Sequence, residues 1–254
     1  MADAHAKHSP LDQFKIQEIM PFNIGGYDVS FTNSSLMMLI VVALVTLFIT
    51  FSMKKRAMVP GRMQSLAELS YEFVAGMLKE NVGSEGRKFF PLVFTLFMFV
   101  LFSNLLGMVP TAFTVTSHIA VTFALAMLVF VTVIAVGIAK HGFHFLHLFI
   151  PSGIPGWMVP IIFPIEIISF LARPVSLSLR LAVAMMAGHV LLKVVAGFVI
   201  SLGAATAFIG GIGGVVPLLF ISLLIGLEIF VAFLQAYIFA LLTTIYLNDA
   251  INLH

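Results

Sequence analysis

The sequence predicts an all-α integral membrane protein: about five transmembrane helices and one amphipathic surface helix, the last two long helices forming a tilted hairpin. Three observations point there. Of the 254 residues, 61% are hydrophobic and only 9% are charged, against about 25% charged in soluble domains. Mean hydropathy is +1.12 and phenylalanine alone occurs 26 times, so the few charges could not coat a water-soluble fold of this size. The uncharged residues also gather into runs that reach the roughly 20 residues needed to cross a ~30 Å hydrocarbon layer.

Residues 1–33 read as an external N-terminal segment and residues 34–254 as a single membrane domain. The opening MADAHAKHSPLDQF lacks the apolar core of a signal peptide, so no cleavage is expected. The first span covers about 34–53 and ends at Lys54, Lys55 and Arg56. An amphipathic helix over about 62–81 follows, with Leu66, Leu69, Phe73 and Met77 at helical spacing and Glu68, Glu72 and Lys79 largely on other faces. From Phe89 to Ala139 there is no Asp, Glu, Lys or Arg. That run holds two spans, about 89–109 and 118–139, with Pro110 and the polar cluster Thr111 to His118 marking the turn between them.

The last two spans cover about 160–200 and 215–247, divided by the glycine run from Gly210 to Gly214. A helix over the first of these is on the order of 60 Å long at 1.5 Å per residue, twice the layer it must occupy. Either Pro174 breaks it or the hairpin is strongly tilted. Tilt is favoured, because charged residues recur along this segment where an upright, lipid-facing helix would tolerate none.

Lysine and arginine counts set the orientation. The loop from Lys54 to Lys88 holds seven of the 13, while Val109 to Ser117 holds none. The first loop is therefore expected in the cytoplasm, with the N-terminus outside and the C-terminus inside; Lys140, after the third span, agrees.

Several function classes fall away. There is no cysteine, hence no thiolate nucleophile, disulfide or cysteine metal site. The formal charge of +2 and pI of about 9.0 do not imply a nucleic-acid partner, since the basic residues form no groove-length patch. No cofactor motif or nucleophile–base arrangement is present, so no catalytic site is expected in this chain. His141, His144 and His147 suggest a metal at first sight, but i, i+3, i+6 spreads them over about 240° of a helix, and an interfacial role is the better reading.

What stands out is charge inside the hydrocarbon. Each ionisable residue there costs ~2.5 to 3.5 kcal/mol on insertion scales, yet Glu166, Arg173, Arg180, Lys193 and Glu228 all fall in the last two spans. At 100° per residue, Ser176 lies about 40° from Arg180, Arg173 and Ser169 about 20°, and Glu166 about 40°. They make one polar stripe, continued by the small residues Ala184 and Ala187, which admit close approach of another helix. His189 sits about 180° around the helix from Arg180, with Lys193 one turn beyond it. In the final span Gln235 shares a face with Glu228, and Tyr246 returns to that face. One helix with two polar faces suggests two aqueous half-channels that do not meet, held apart by a fixed cation. Arginine keeps its charge in a dry site where lysine can lose its proton; Glu228 and His189 can each take and give one.

Duller readings exist for each residue: Arg180 as a structural partner of Glu228, His189 as a hydrogen bond within a helix interface, Lys193 snorkelling to headgroups, and Glu166 paired with Arg173. Taken together they do not account for five ionisable residues in one hairpin.

The run Arg173 to Leu181 (RPVSLSLRL), followed by Met185-Met186-Ala187-Gly188-His189, resembles the signature helix of subunit a of the rotary F-type ATP synthase. Glu228 to Leu247 (EIFVAFLQAYIFALLTTIYL) is similar to that family's last helix, and Phe102 to Pro110 (FSNLLGMVP) to the end of its second span. The resemblance covers most of the chain from about residue 30. It implies a proton-translocating stator subunit held against a ring of c subunits, with peripheral-stalk b subunits and the remaining ATP synthase subunits as further partners in a lipid membrane. It implies that Arg180 is the essential arginine and Gln235 its partner on the last helix. His189 and Glu228 match the facing pair on the uptake side, in the arrangement of the mitochondrial and alphaproteobacterial branch. Glu166 matches the acidic residue on the release side, and Asn104 a polar position toward the external half-channel. The family usually has Phe, a small residue and Asn after the arginine–leucine pair, where this chain has Ala182, Val183 and Ala184. A bacterial inner membrane is the preferred location over a mitochondrial one. The competing reading is a secondary transporter that binds an anionic solute at Arg180, but the paired repeats common in transporters are not visible; a purely structural scaffold is the third.

Overall fold

The computed structural model describes residues 16–21, 23–24, 27–28, 30–54, 59–109, 112–142, 158–205 and 212–252. The N-terminal tail before Ile16, the turn residues Pro110 and Thr111, Gly210 and Gly211, and His144 and His147 lie outside this set.

Two small antiparallel pairs open the described chain. β1 (Glu18–Met20) pairs with β4 (Phe31–Thr32), and β2 (Asn23–Ile24) with β3 (Tyr27–Asp28). Strands of two or three residues are too short to show a period-two pattern, and nothing in the sequence announces them. Thr32 then starts the first helix, its Oγ1 accepting from the Ser35 backbone N–H at 3.4 Å.

The rest is helical: α1 (Asn33–Met53), α2 (Arg62–Val82), α3 (Phe90–Gly107), α4 (Ile119–His141), α5 (Val159–Ala205) and α6 (Ile212–Ile251). Short 3-10 turns cover Gly83–Phe89 and Val115–Ser117. Pro91 sits in the first turn of α3, where its missing N–H has no helical partner to lose. Gly83 and Gly142 end α2 and α4 at φ of 75° and 56°, a backbone region that residues with a Cβ rarely adopt. Five segments of the described chain are long and apolar enough to cross a membrane.

On α2, Val74, Met77, Leu78 and Val82 are buried against the other helices, while Leu66 and Leu69 remain exposed. The helix thus fixes its C-terminal half inward and presents leucines from its N-terminal half outward.

α5 runs unbroken for 47 residues with Pro164 and Pro174 inside it, a length of about 70 Å. Of the two possibilities the sequence leaves for Pro174, a break is therefore not what happens. An interior proline costs about 3 kcal/mol of helix stability; here Phe170, Leu177 and Leu181, around Pro174, are buried in the core shared with α3, α4 and α6. That core joins Val93, Phe97 and Val100 of α3 and Val129 and Val133 of α4 to Met185 of α5 and Phe239 of α6. Ala232, Ala236 and Ala240 of α6 are fully buried. Small side chains at these positions let the backbones approach, the main source of helix association where lipid removes the hydrophobic driving force.

Candidate functional site

Three elements meet at the middle of the α5–α6 hairpin: the end of α3, the 3-10 turn Val115–Ser117, and the hairpin itself. Asn104, fully buried on α3, donates through Nδ2 to the Ala232 carbonyl at 3.0 Å and accepts through Oδ1 from Thr116 Oγ1 at 2.8 Å. Thr114 Oγ1 donates to the Gly107 carbonyl at 3.2 Å and lies 3.1 Å from His189 Nε2. His189 Nδ1 in turn lies 3.2 Å from Glu228 Oε1.

Proton counting orders this network. A hydroxyl has a single proton to give. Thr114 commits it to the Gly107 carbonyl, so its contact with His189 requires Nε2–H as the donor. The remaining nitrogen, Nδ1, faces Glu228, and the two groups share at most one proton between them: a neutral pair, or imidazolium and carboxylate. The 3.2 Å approach is not aligned as a hydrogen bond, and both carboxyl oxygens of Glu228 lack a hydrogen-bond partner among the described residues. At 4% and 7% exposure, Glu228 and His189 are both buried, and a buried carboxyl without hydrogen bonds is costly to keep.

Two glycines make the geometry possible. A Cβ on Gly107 would come within 2.7 Å of the Thr114 methyl, and one on Gly188 within 3.0 Å of Glu228 Oε1. Beside Glu228 a cleft of about 250 Å³ opens between α5 and α6, lined by Ala184, Ala187, Gly188 and otherwise mainly by leucines. Ala184 and Ala187 lie on the Arg180 side of α5, so the cleft connects the Glu228 position with that face.

A second polar group lies near the other end of the hairpin. Arg173 Nη1 bonds Asp249 Oδ2 at 2.8 Å, and its guanidinium stacks 5.4 Å from the Phe170 ring centre and 5.1 Å from that of Tyr246. Arg173 therefore pairs with Asp249, and the pairing with Glu166 considered from sequence is not formed. Glu166 is half-buried.

Between these groups lies an apolar layer, with buried Ser178, Thr243 and Thr244 on the side of the Arg173 group. Leu181, Met185, Ala236, Phe239 and Ala240 are each no more than 1% exposed. Arg180 stands outside this layer, exposed on the opposite side of α5 from His189, with Ser169, Ser176 and Ala187 exposed on the same face. It makes no ion pair among the described residues; the partner of Glu228 is His189. Gln235 is half-buried on α6.

The structure thus brings Asn104, His189 and Glu228 together and gathers Tyr246 into the Arg173 group. Sequence reasoning missed Thr114, Thr116 and Asp249. The polar run after Pro110 was a signal, but one that turn residues give without any further role. His141 Nε2 lies 3.0 Å from the Ile251 carbonyl, which ties it to α6. No group of three metal-ligating side chains occurs among the described residues.

A family model described as ATP synthase A chain matches residues 35–248. Among curated relatives, an ATP synthase subunit a of Rhizobium etli is 61% identical over 246 residues, 96% of this chain and 98% of the relative. One of Chelativorans is 57% identical over 243 residues, covering 96% and 97%. One of Paramagnetospirillum magneticum is 54% identical over 249 residues, covering 97% and 99%. Likeness of that depth, running nearly end to end, means that the chain belongs to the ATP synthase A chain family.

Proposed function

We propose that this chain, by family a proton-translocating subunit of the membrane sector of ATP synthase, supplies two offset half-channels to a moving ring of c subunits, with Arg180 as the barrier between them. The observation that carries the reading is the division of the hairpin interior. The Glu228–His189 group and the Arg173–Asp249–Tyr246 group lie about 24 Å apart along α5, and the buried layer of Leu181, Met185, Ala236, Phe239 and Ala240 separates them. None of those five side chains can carry a proton, so on this reading the proton travels around the layer, by way of the exposed face that carries Arg180.

On this reading Asn104, Thr114, His189 and Glu228 deliver protons from outside, and the cleft past Gly188 passes them to a ring carboxylate. The ring carries them round to the release side, where Glu166 and Tyr246 lie. Arg180, aided by Gln235, holds a permanent positive charge on the shared face and repels a proton that would take the short way. The orientation rests on the cation-rich loop from Lys54 to Lys88, which places the N-terminus outside. Peripheral-stalk b subunits and the other subunits complete the assembly. With α5 at about 70 Å, a layer of ~30 Å holds the hairpin only if it is steeply tilted.

A unit charge crossing 100 mV is worth ~2.3 kcal/mol, and a leak between half-channels would discard that work. The direct test is Arg180→Ala in reconstituted vesicles of the whole complex. Coupled ATP synthesis is expected to vanish and passive proton leak to rise. Unchanged coupled synthesis would reject the barrier.

A further inference from the structure

Outside the hairpin, a cleft lies where α2, the 3-10 turn Gly83–Phe89 and the head of α3 meet. Gly83, at φ 75°, turns the chain back on itself, and Gly86 packs where a Cβ would come within 2.9 Å of the Val82 Cβ. The fold-back leaves a space of about 560 Å³, walled by Tyr71, Leu78 and Phe90 and rimmed by Lys79, Ser84 and Arg87. Lys79 and Arg87 are exposed and make no ion pair among the described residues. The Tyr71 and Phe90 rings lie 4.5 Å apart, and Phe94, one turn further along α3, stacks on Phe90 at 5.3 Å.

This cleft sits at a chemical boundary. Arg87 and Lys88 are the last charges before the uncharged run that begins at Phe89, so its rim lies in the headgroup zone and its aromatic wall descends into hydrocarbon. We propose that the cleft is a binding site for an anionic phospholipid, its phosphodiester held between Lys79 and Arg87 and its glycerol and upper acyl chain laid against Tyr71, Leu78 and Phe90. Basic pockets beside membrane helices bind such headgroups, and the Ser84 hydroxyl can donate one hydrogen bond to a phosphate oxygen. The occupant is a lipid rather than a free phosphate because the space exceeds what an inorganic anion fills and is walled mainly by aromatic and aliphatic surface.

The test uses the assembled ATP synthase in vesicles containing a photoactivatable phosphatidylglycerol, with cross-linked peptides mapped after illumination. Cross-links are expected within residues 71–94, displaced by excess phosphatidylglycerol but not by phosphatidylcholine or inorganic phosphate. The double variant Lys79→Gln/Arg87→Gln should lose about thirtyfold in affinity as read by this labelling. Lys54→Gln, which removes a charge outside the cleft, should leave it unchanged. Four results would overturn the proposal: no labelling of this segment in the complex, which would mean that a partner subunit covers the cleft; equal displacement by phosphatidylcholine; displacement by inorganic phosphate; or equal loss in Lys54→Gln, which would reduce the site to diffuse surface charge.

Discussion

Thr114 orders the protons of the buried network: with its one hydroxyl proton given to the Gly107 carbonyl, its contact with His189 calls for a proton on Nε2, while Nδ1 lies toward Glu228. Thr114→Val keeps the shape and removes the hydroxyl. An unmatched buried polar group costs about 1–3 kcal/mol, and a cost of that size borne in the slow step reduces proton uptake roughly 5- to 150-fold. Thr114→Ser should largely preserve the rate. Proton flux into vesicles loaded with a pH-sensitive dye measures both, and wild-type flux in the valine variant would remove Thr114 from the path. His189 and Glu228 were legible in the sequence, because ionisable side chains in apolar runs carry a cost that needs a reason; Asn104 was legible only through the family resemblance. Thr114 was not, since a threonine in the polar run that follows Pro110 reads equally well as part of a turn.

At the scale of elements, α4 is joined to the 3-10 turn before α3 by the ion pair of Lys140 with Glu85, which is exposed. The hydrogen bond from Lys140, and then its charge, holds the Glu85 carboxyl below the usual carboxylate range. A lowered folded-state value means that the stabilisation is fully present above the ordinary range and is lost as pH falls through the lowered value. The effect is expected to be small and to shrink with added salt, because the pair faces solvent. Thermal melts of the purified complex should show Lys140→Gln slightly less stable than wild type near neutral pH and indistinguishable from it in strong acid. A gap that persists in acid would mean that the pair does not contribute through charge. Most of the helices were legible as uncharged runs, and the course of α5 through Pro174 was favoured from the charges that recur along it, not from periodicity. Periodicity says nothing about whether the packing around a proline repays the lost hydrogen bond, and that is settled by Phe170, Leu177 and Leu181 in the core.

For the whole molecule, the apolar layer between the two polar groups matters as much as the groups do. In a multi-pass bacterial membrane protein that assembles with the other ATP synthase subunits, the proposed function makes this layer the insulator between the two groups. Leu181→Asn, at 1% exposure in the wild type, would place an amide there and draw in water. Passive proton leak in reconstituted vesicles should rise while Arg180 remains in place; a leak no greater than wild type would show that the layer is not the insulating element. Sequence alone displayed the two polar faces of α5 but not the layer, because leucine, methionine and alanine are the common filling of any membrane helix. Nor did it display the Arg173–Asp249 pair, whose partners lie 76 residues apart.

That separation bears on how the protein is made. At about 5–20 residues per second, a ribosome needs roughly 4 to 15 s to travel from Arg173 to Asp249, and His141 waits longer still for the Ile251 carbonyl. Throughout that interval the Arg173 guanidinium lacks the carboxylate it pairs with in the finished fold. The final turn of α6 is thus the clasp of the hairpin, and a nascent chain cut short there would leave the preceding helix with a bare cation, marking the fragment for quality control.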